Sequence, residues 1–336
     1  MGVDEELRKV AVLSPSKAAP ALGVEVHEQA MRRLREEFGL EPVEYPTTRE
    51  FESLPEDRAR DIMAAFTDPE IEAVFATLGG DDQVTVIPFL DPELIAANPK
   101  PFFGYSDNTN ILNLLHSLGI RAFHGGNTQV QIGAGPNIDD ITVTSLRAAL
   151  TGEGVLEITD PGESEDHGIL WSDPLALEVN GLRESTKPWR WAGPSRRVSG
   201  RTWGGCFEVI TQMSLADRVP RAEELEGGIL MLEASQRLTN THGIMEIVRA
   251  LGEADILGAV RGVMVARPPA RSLFLPEYRD REEMYDAVIE QVTLYNPEAV
   301  VVCGVPFGHT RPQWILPYGG EITLDGAEQR IWADYS

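Results

Sequence analysis

Three polar residues stand at the ends of apolar, strand-like runs. Ser106 follows Pro101-Phe102-Phe103-Gly104-Tyr105, Glu233 closes Gly227-Gly228-Ile229-Leu230-Met231-Leu232, and His309 comes just after the run from Ala299 to Val305. A serine hydroxyl is a weak nucleophile at neutral pH. It needs an imidazole to accept its proton, and the imidazolium needs a carboxylate to fix its tautomer. Serine, glutamate and histidine supply these parts in any chain order, because such a set is defined by geometry. Taken singly, each has a plainer reading: an N-cap for Ser106, an acid at a helix N-terminus for Glu233, a satisfied turn histidine for His309. Position favours Ser106 further. It heads a polar turn, Ser106-Asp107-Asn108-Thr109, between a buried strand and a helix with apolar residues at 111, 112, 114, 115 and 118 and a Gly119 stop. Such a turn projects a hydroxyl from a sheet edge beside free helix N–H groups, although the second glycine of G-x-S-x-G is missing. The amides of Gly80 and Asp107 are the candidates for holding an oxyanion.

The elements that must position these residues alternate along the chain. Val10 to Ser16 reads as a strand, 25 to 38 as a helix stopped by Gly39, Pro42 to Tyr45 as a strand and Arg58 to Phe66 as a helix. Ile71 to Leu78 is a strand running into Gly79-Gly80-Asp81-Asp82. Val84 to Leu90 and Pro92 to Ala97 read as short helices, and Ile120 to Gly126 as a strand with a glycine turn. Alternation of this kind predicts βαβ units and a parallel sheet, whose ligands bind beyond the strands' carboxyl ends. Both Gly79-Gly80 and Ser106 fall at such ends. Residues 1–150 are therefore read as an N-terminal α/β domain, and 151–200, rich in Gly, Pro, Ser and charge, as a linker or loop region. Residues 201–336 are read as a C-terminal β/α domain, with helices over Ile244 to Leu251 and Glu282 to Leu294, a strand over Gly258 to Val265 and a hairpin over Trp314 to Asp325. Trp189 and Trp191 sit in the loop region, where they either pack on a neighbouring domain or offer a stacking platform to a planar ligand.

Composition narrows the partners. A chain of 336 residues with 42% hydrophobic and 24% charged residues has ample material for a core, and two domains are expected. A net charge of −24 disfavours nucleic acid and anionic membrane surfaces as partners. The acidic start Met1-Gly2-Val3-Asp4-Glu5-Glu6 is unlike a signal peptide, and no apolar stretch is long enough to span a bilayer. Cys206 and Cys303 both lie in apolar runs, which fits buried free thiols in a reducing cytoplasm. Two cysteines without His-x-x-x-His spacing speak against a zinc site, and neither a metal nor an organic cofactor is expected.

Three stretches together resemble the LD-carboxypeptidase family of serine peptidases: Ala76-Thr77-Leu78-Gly79-Gly80-Asp81-Asp82, Asn98 to Asp107 with its Gly104-Tyr105-Ser106-Asp107, and Gly308-His309 with Leu316-Pro317-Tyr318-Gly319. The resemblance covers essentially the whole chain. It implies a flavodoxin-like N-terminal domain, a smaller swivelling C-terminal β/α domain and an active site in the groove between them. It implies Ser106 as nucleophile, His309 as base, Glu233 as its carboxylate, Gly80 and Asp107 as oxyanion hole, and a homodimer. The first glycine turn reads Leu-Gly-Gly-Asp-Asp, and a later one reads Gly204-Gly205-Cys206-Phe207-Glu208. Both are more similar to the microcin-immunity branch than to the peptidoglycan-recycling branch, which removes a terminal D-alanine from a muramyl tetrapeptide. The implied substrate is a small peptide or an aminoacyl-nucleotide, with Asp81, Asp82, Trp189 and Trp191 as candidate contacts. Two rival readings use the same residues: a binding module with a disengaged triad, and a Mg-dependent phosphate enzyme working through Asp81 and Asp82.

Overall fold

Arg8–Leu13 forms the first strand, and its Val10, Ala11, Val12 and Leu13 are all buried, as expected for a parallel strand covered on both faces. The computed structural model describes residues 8–152, 154–237, 239–275 and 278–336, so the acidic start at Met1 to Glu6 lies outside the described residues. The strands are β1 (Arg8–Leu13), β2 (Leu40–Glu44), β3 (Ile71–Ala76), β4 (Phe102–Gly104), β5 (Ala122–His124), β6 (Val155–Ile158), β7 (Glu163–Glu165) and β8 (Arg183–Ser185). They continue as β9 (Arg190–Ala192), β10 (Arg197–Cys206), β11 (Ile229–Glu233), β12 (Gly262–Ala266), β13 (Val300–Val305), β14 (Leu316–Tyr318), β15 (Glu321–Asp325) and β16 (Arg330–Asp334).

One sheet has the order β14-β5-β4-β3-β1-β2, parallel except for β14 at its edge. Phe75, Phe103 and Phe123 stand at paired positions of β3, β4 and β5 and stack, with centroids 4.4 and 4.9 Å apart. This ladder holds β4, the strand that delivers Ser106, to its neighbours by aromatic burial. The second sheet has the order β6-β16-β15-β10-β11-β12-β13-β9, with β10 to β13 parallel at its centre. The helices Thr241–Glu253 and Arg281–Tyr295 pack against each other. The fold is α/β, a parallel-rich sheet joined to a second sheet domain. No described helix is long and apolar enough to cross a membrane.

Four local expectations change. The segment 151–200 contains β6, β7, β8, β9 and the start of β10; these strands are short and half-exposed, so they carry no long apolar alternation. Val84 to Leu90 forms two short 3₁₀ turns in place of a helix. The run from Gly258 splits: Ile256–Ala259 is helical, and β12 begins at Gly262 after Val260-Arg261. Short apolar runs do not distinguish helix from strand. Finally, Trp314 to Asp325 is not a hairpin. β14 pairs with β5 in the first sheet and β15 with β10 and β16 in the second. Gly319, at φ +77°, turns the chain between them, so residues 316–318 from the C-terminal part complete the N-terminal sheet.

Candidate active site

The carboxyl ends of β4, β11 and β13 converge where the two sheets meet. Ser106 lies two residues beyond β4, Glu233 is the last residue of β11, and His309 follows β13 by four. Ser106 has φ +65°, a left-handed conformation that a side-chain-bearing residue adopts only under constraint. A 3₁₀ turn, Ser106–Asn108, then leads into the helix Thr109–Ser117. The Ser106 Oγ lies 3.0 Å from His309 Nε2, and His309 Nδ1 lies 2.5 Å from Glu233 Oε2. Glu233 is fully buried, whereas the His309 side chain keeps 12% of its surface exposed. Gly308 (φ +86°) makes this approach possible, since a Cβ there would stand 2.9 Å from Glu233 Cβ.

Electrostatics match the geometry. Burial by itself would lower the His309 pKa, but the Glu233 charge and hydrogen bond outweigh it and hold the imidazole above its ordinary 6.5. Burial pushes the Glu233 carboxyl up, and the attraction and hydrogen bond of His309, with His124 close by, bring it below the usual carboxylate range. The chain thus arranges a hydroxyl, a ring nitrogen and a charged carboxylate in line, an arrangement able to move a proton off Ser106.

The Gly79-Gly80 turn presses against this serine. A Cβ on Gly79 would lie 2.6 Å from Ser106 Cβ and 3.1 Å from Asp107 N, and one on Gly80 would lie 2.0 Å from Ser16 Oγ. Side chains lock the turn to the serine. Asp107 Oδ2 accepts from Ser16 Oγ (2.5 Å) and from the Gln83 amide (2.8 Å), and Asn108 Nδ2 donates to Leu78 O (3.0 Å). Gln83 Nε2 in turn donates to Asn108 Oδ1 at 2.8 Å. Thr109 Oγ1 donates to Ser106 O and accepts from Cys206 N, which ties the serine turn to the second sheet. On that side Glu208 accepts from Thr239 Oγ1 (2.6 Å) and Cys206 Sγ (2.9 Å), and the buried Arg279 donates to carbonyls of Thr239, Pro269 and Ser235.

The remaining candidates lie further out. Asp82 is held by Arg58 through two hydrogen bonds of 2.8 and 2.9 Å, and Asp81, 61% exposed, pairs with Arg237 at 3.4 Å. Trp191 is a β9 residue opposite Val302 in the second sheet, and Trp189 Nε1 donates to Asp160 Oδ2 at 3.2 Å. Both tryptophans pack partly on the core and line a cavity of about 290 Å³ with Asp160 and Arg330. Ser16, Gln83 and Arg279 carried no sequence signal, because their partners come from distant segments, and Asn108 and Glu208 stood in turns the sequence marked without showing what they would hold. His124 did carry one. It too ends an apolar strand and precedes a glycine pair.

The chain belongs to the LD-carboxypeptidase family of peptidases: residues 10–125 match the LD-carboxypeptidase N-terminal domain and residues 199–324 the LD-carboxypeptidase C-terminal domain. Among its relatives, YocD of Bacillus subtilis is 33% identical over 97% of this chain and 96% of its own length. The microcin C7 self-immunity protein MccF of Escherichia coli is 28% identical over 82% of this chain and 77% of its own. The murein tetrapeptide carboxypeptidase of Pseudomonas aeruginosa is 25% identical over 96% and 94%. The fold matches that of MccF solved with glutamyl sulfamoyl guanosine, with a TM-score of 0.83 at 23% identity over 98% of this chain and 96% of that one.

Proposed function

We propose that the chain is a serine hydrolase that cleaves an amide adjoining a C-terminal residue, with Ser106 as nucleophile, His309 as general base and Glu233 as its orienting carboxylate. The observation that carries this reading is the continuous Ser106–His309–Glu233 line of 3.0 and 2.5 Å contacts. His309 Nε2 takes the Ser106 proton as Oγ attacks the scissile carbonyl. The amides of Gly80 and Asp107, on the turn that presses against the serine and just after it, receive the oxyanion. The intermediate collapses as His309 returns the proton to the leaving nitrogen. Water, deprotonated by the same histidine, then hydrolyses the ester and restores Ser106.

The substrate follows the microcin-immunity branch: an aminoacyl-nucleotide of the aspartyl adenylate type, with Trp189 and Trp191 on the base side and the Asp81–Arg237 pair at the mouth. Supporting this are the Gly79-Gly80-Asp81-Asp82 turn and a likeness to MccF, whose solved structures hold aminoacyl sulfamoyl nucleosides. The second reading, removal of the terminal residue of a murein tetrapeptide, draws on the Pseudomonas aeruginosa relative. Mass spectrometry after incubation with an LD-tetrapeptide and with an aspartyl-nucleotide phosphoramidate decides between them. Cleavage of the phosphoramidate alone, abolished in Ser106→Ala, is expected. Cleavage that persists in Ser106→Ala would remove the serine mechanism.

A further inference from the structure

Glu233 uses only one of its carboxylate oxygens on His309. Its other oxygen, Oε1, is buried and has no hydrogen bond within normal length among the described residues. The polar group that faces it is His124 Nε2, 3.9 Å away. His124 is fully buried, and neither ring nitrogen has another hydrogen-bond partner among the described residues. Its surroundings are aromatic: Tyr105 lies 5.7 Å away between centroids, and Phe307 makes an edge contact at 5.6 Å. A buried imidazole with unpaired nitrogens in such a box costs stability that a phenylalanine would not. The ring type therefore calls for a reason other than packing.

We propose that His124 is a second histidine on Glu233, a positioning residue whose Nε2–H faces Oε1 and fixes the carboxylate for His309. This rests on the triad reading above. The physical effect has two parts. A donor on Oε1 holds the carboxylate plane, and so keeps Oε2 aimed at His309 Nδ1. It also draws off part of the carboxylate's charge, which moderates its pull on the His309 proton. Without that donor Glu233 becomes more basic and holds His309 more strongly in its protonated form. The other groups beside His309 are Glu208 in the helix that follows β10, Arg279 before the helix Arg281–Tyr295, and Tyr105 after β4, whose ring meets the imidazole at 5.1 Å between centroids. None of their hydrogen bonds involves Glu233 Oε1, and each remains in place when His124 is changed.

The test uses a fluorophosphonate, which reports serine nucleophilicity without knowledge of the substrate. Labelling rate against pH and thermal stability are measured for the wild type, His124→Phe and His124→Gln. His124→Phe should label about tenfold more slowly at its plateau, the loss expected when the imidazole N–H closes on Oε1 during reaction as one hydrogen bond to a charged group. Its acid limb should move up by about half a pH unit to one unit, while its melting temperature stays equal or rises. His124→Gln, which restores a donor near Nε2, should recover most of the rate. A His124→Phe protein with the wild-type rate and acid limb would overturn the inference. So would a loss of rate that only tracks a loss of stability, with the limb unmoved. A wild type that does not label at all would remove the triad reading, and the inference with it, so the two failures are told apart.

Discussion

Replacing Gly79 with alanine should damage catalysis through space alone. Gly79 is not among the glycines with positive φ, so its backbone accepts alanine without strain. The added methyl, however, would stand 2.6 Å from Ser106 Cβ and 2.8 Å from Ser106 Oγ. Ordinary carbon contacts begin at about 3.5 Å, so the turn or the serine must shift by close to 1 Å. Neither yields easily, because Asp107 is fastened by Ser16 and Gln83 and Asn108 is fastened to Leu78. A misplacement of about 1 Å between reacting groups costs on the order of 100-fold in rate, and overpacking of this kind costs about 1–3 kcal/mol in stability. The assay is the rate of fluorophosphonate labelling beside a thermal melt, with Gly39→Ala as the control. No neighbour lies within 4 Å of a Cβ on Gly39, but its φ of +66° strains alanine. Gly39→Ala should lose stability and keep its labelling rate, and Gly79→Ala should lose labelling rate as well as stability. A Gly79→Ala protein that labels at the wild-type rate would refute the claim that this turn sets the serine's position.

Three further outcomes follow from the same geometry. Ser106→Gly should be more stable than Ser106→Ala by about 1 kcal/mol in chemical denaturation, because both lose the hydroxyl but only glycine relieves the positive φ; equal stabilities would mean the turn is unstrained. In the proposed mechanism hydrolysis requires neutral His309, whose pKa is raised, so kcat/KM should fall as pH decreases, with a midpoint above the ordinary 6.5; in Glu233→Gln that midpoint should drop along with the rate. Both cysteines are buried and their thiols are pushed up in pKa by desolvation, so iodoacetamide should leave the native chain unmodified and alkylate Cys206 and Cys303 only after unfolding in guanidinium. Intact-mass spectrometry reads the adducts.

Much of the site is legible in the sequence because catalytic groups in α/β folds sit where buried strands end, and those ends are visible as apolar runs that stop at a polar residue. Ser106, Glu233 and His309 all carry that mark, and the structure places them in hydrogen-bonding reach. His124 bears the same mark at the end of β5, but a fourth polar strand end has no assigned part in a three-residue mechanism. The groups that hold the serine turn are a different matter. Ser16 and Asp107 are 91 positions apart, and no local pattern announces their contact. Trp191 sits in a strand rather than a loop for a related reason, while Trp189 stays in the loop just before it: Arg190–Ala192 is an edge strand only because β13 offers its open side, a fact of tertiary pairing. The same holds for Leu316–Tyr318, whose apolar residues fit either sheet until β5 is in place.

The most direct test of the serine mechanism is to react the native chain with a fluorophosphonate, digest it and map the adduct. One modified residue is expected, Ser106, with labelling abolished in Ser106→Ala and strongly slowed in His309→Ala. An adduct on any other residue, or full labelling without His309, would contradict the serine mechanism.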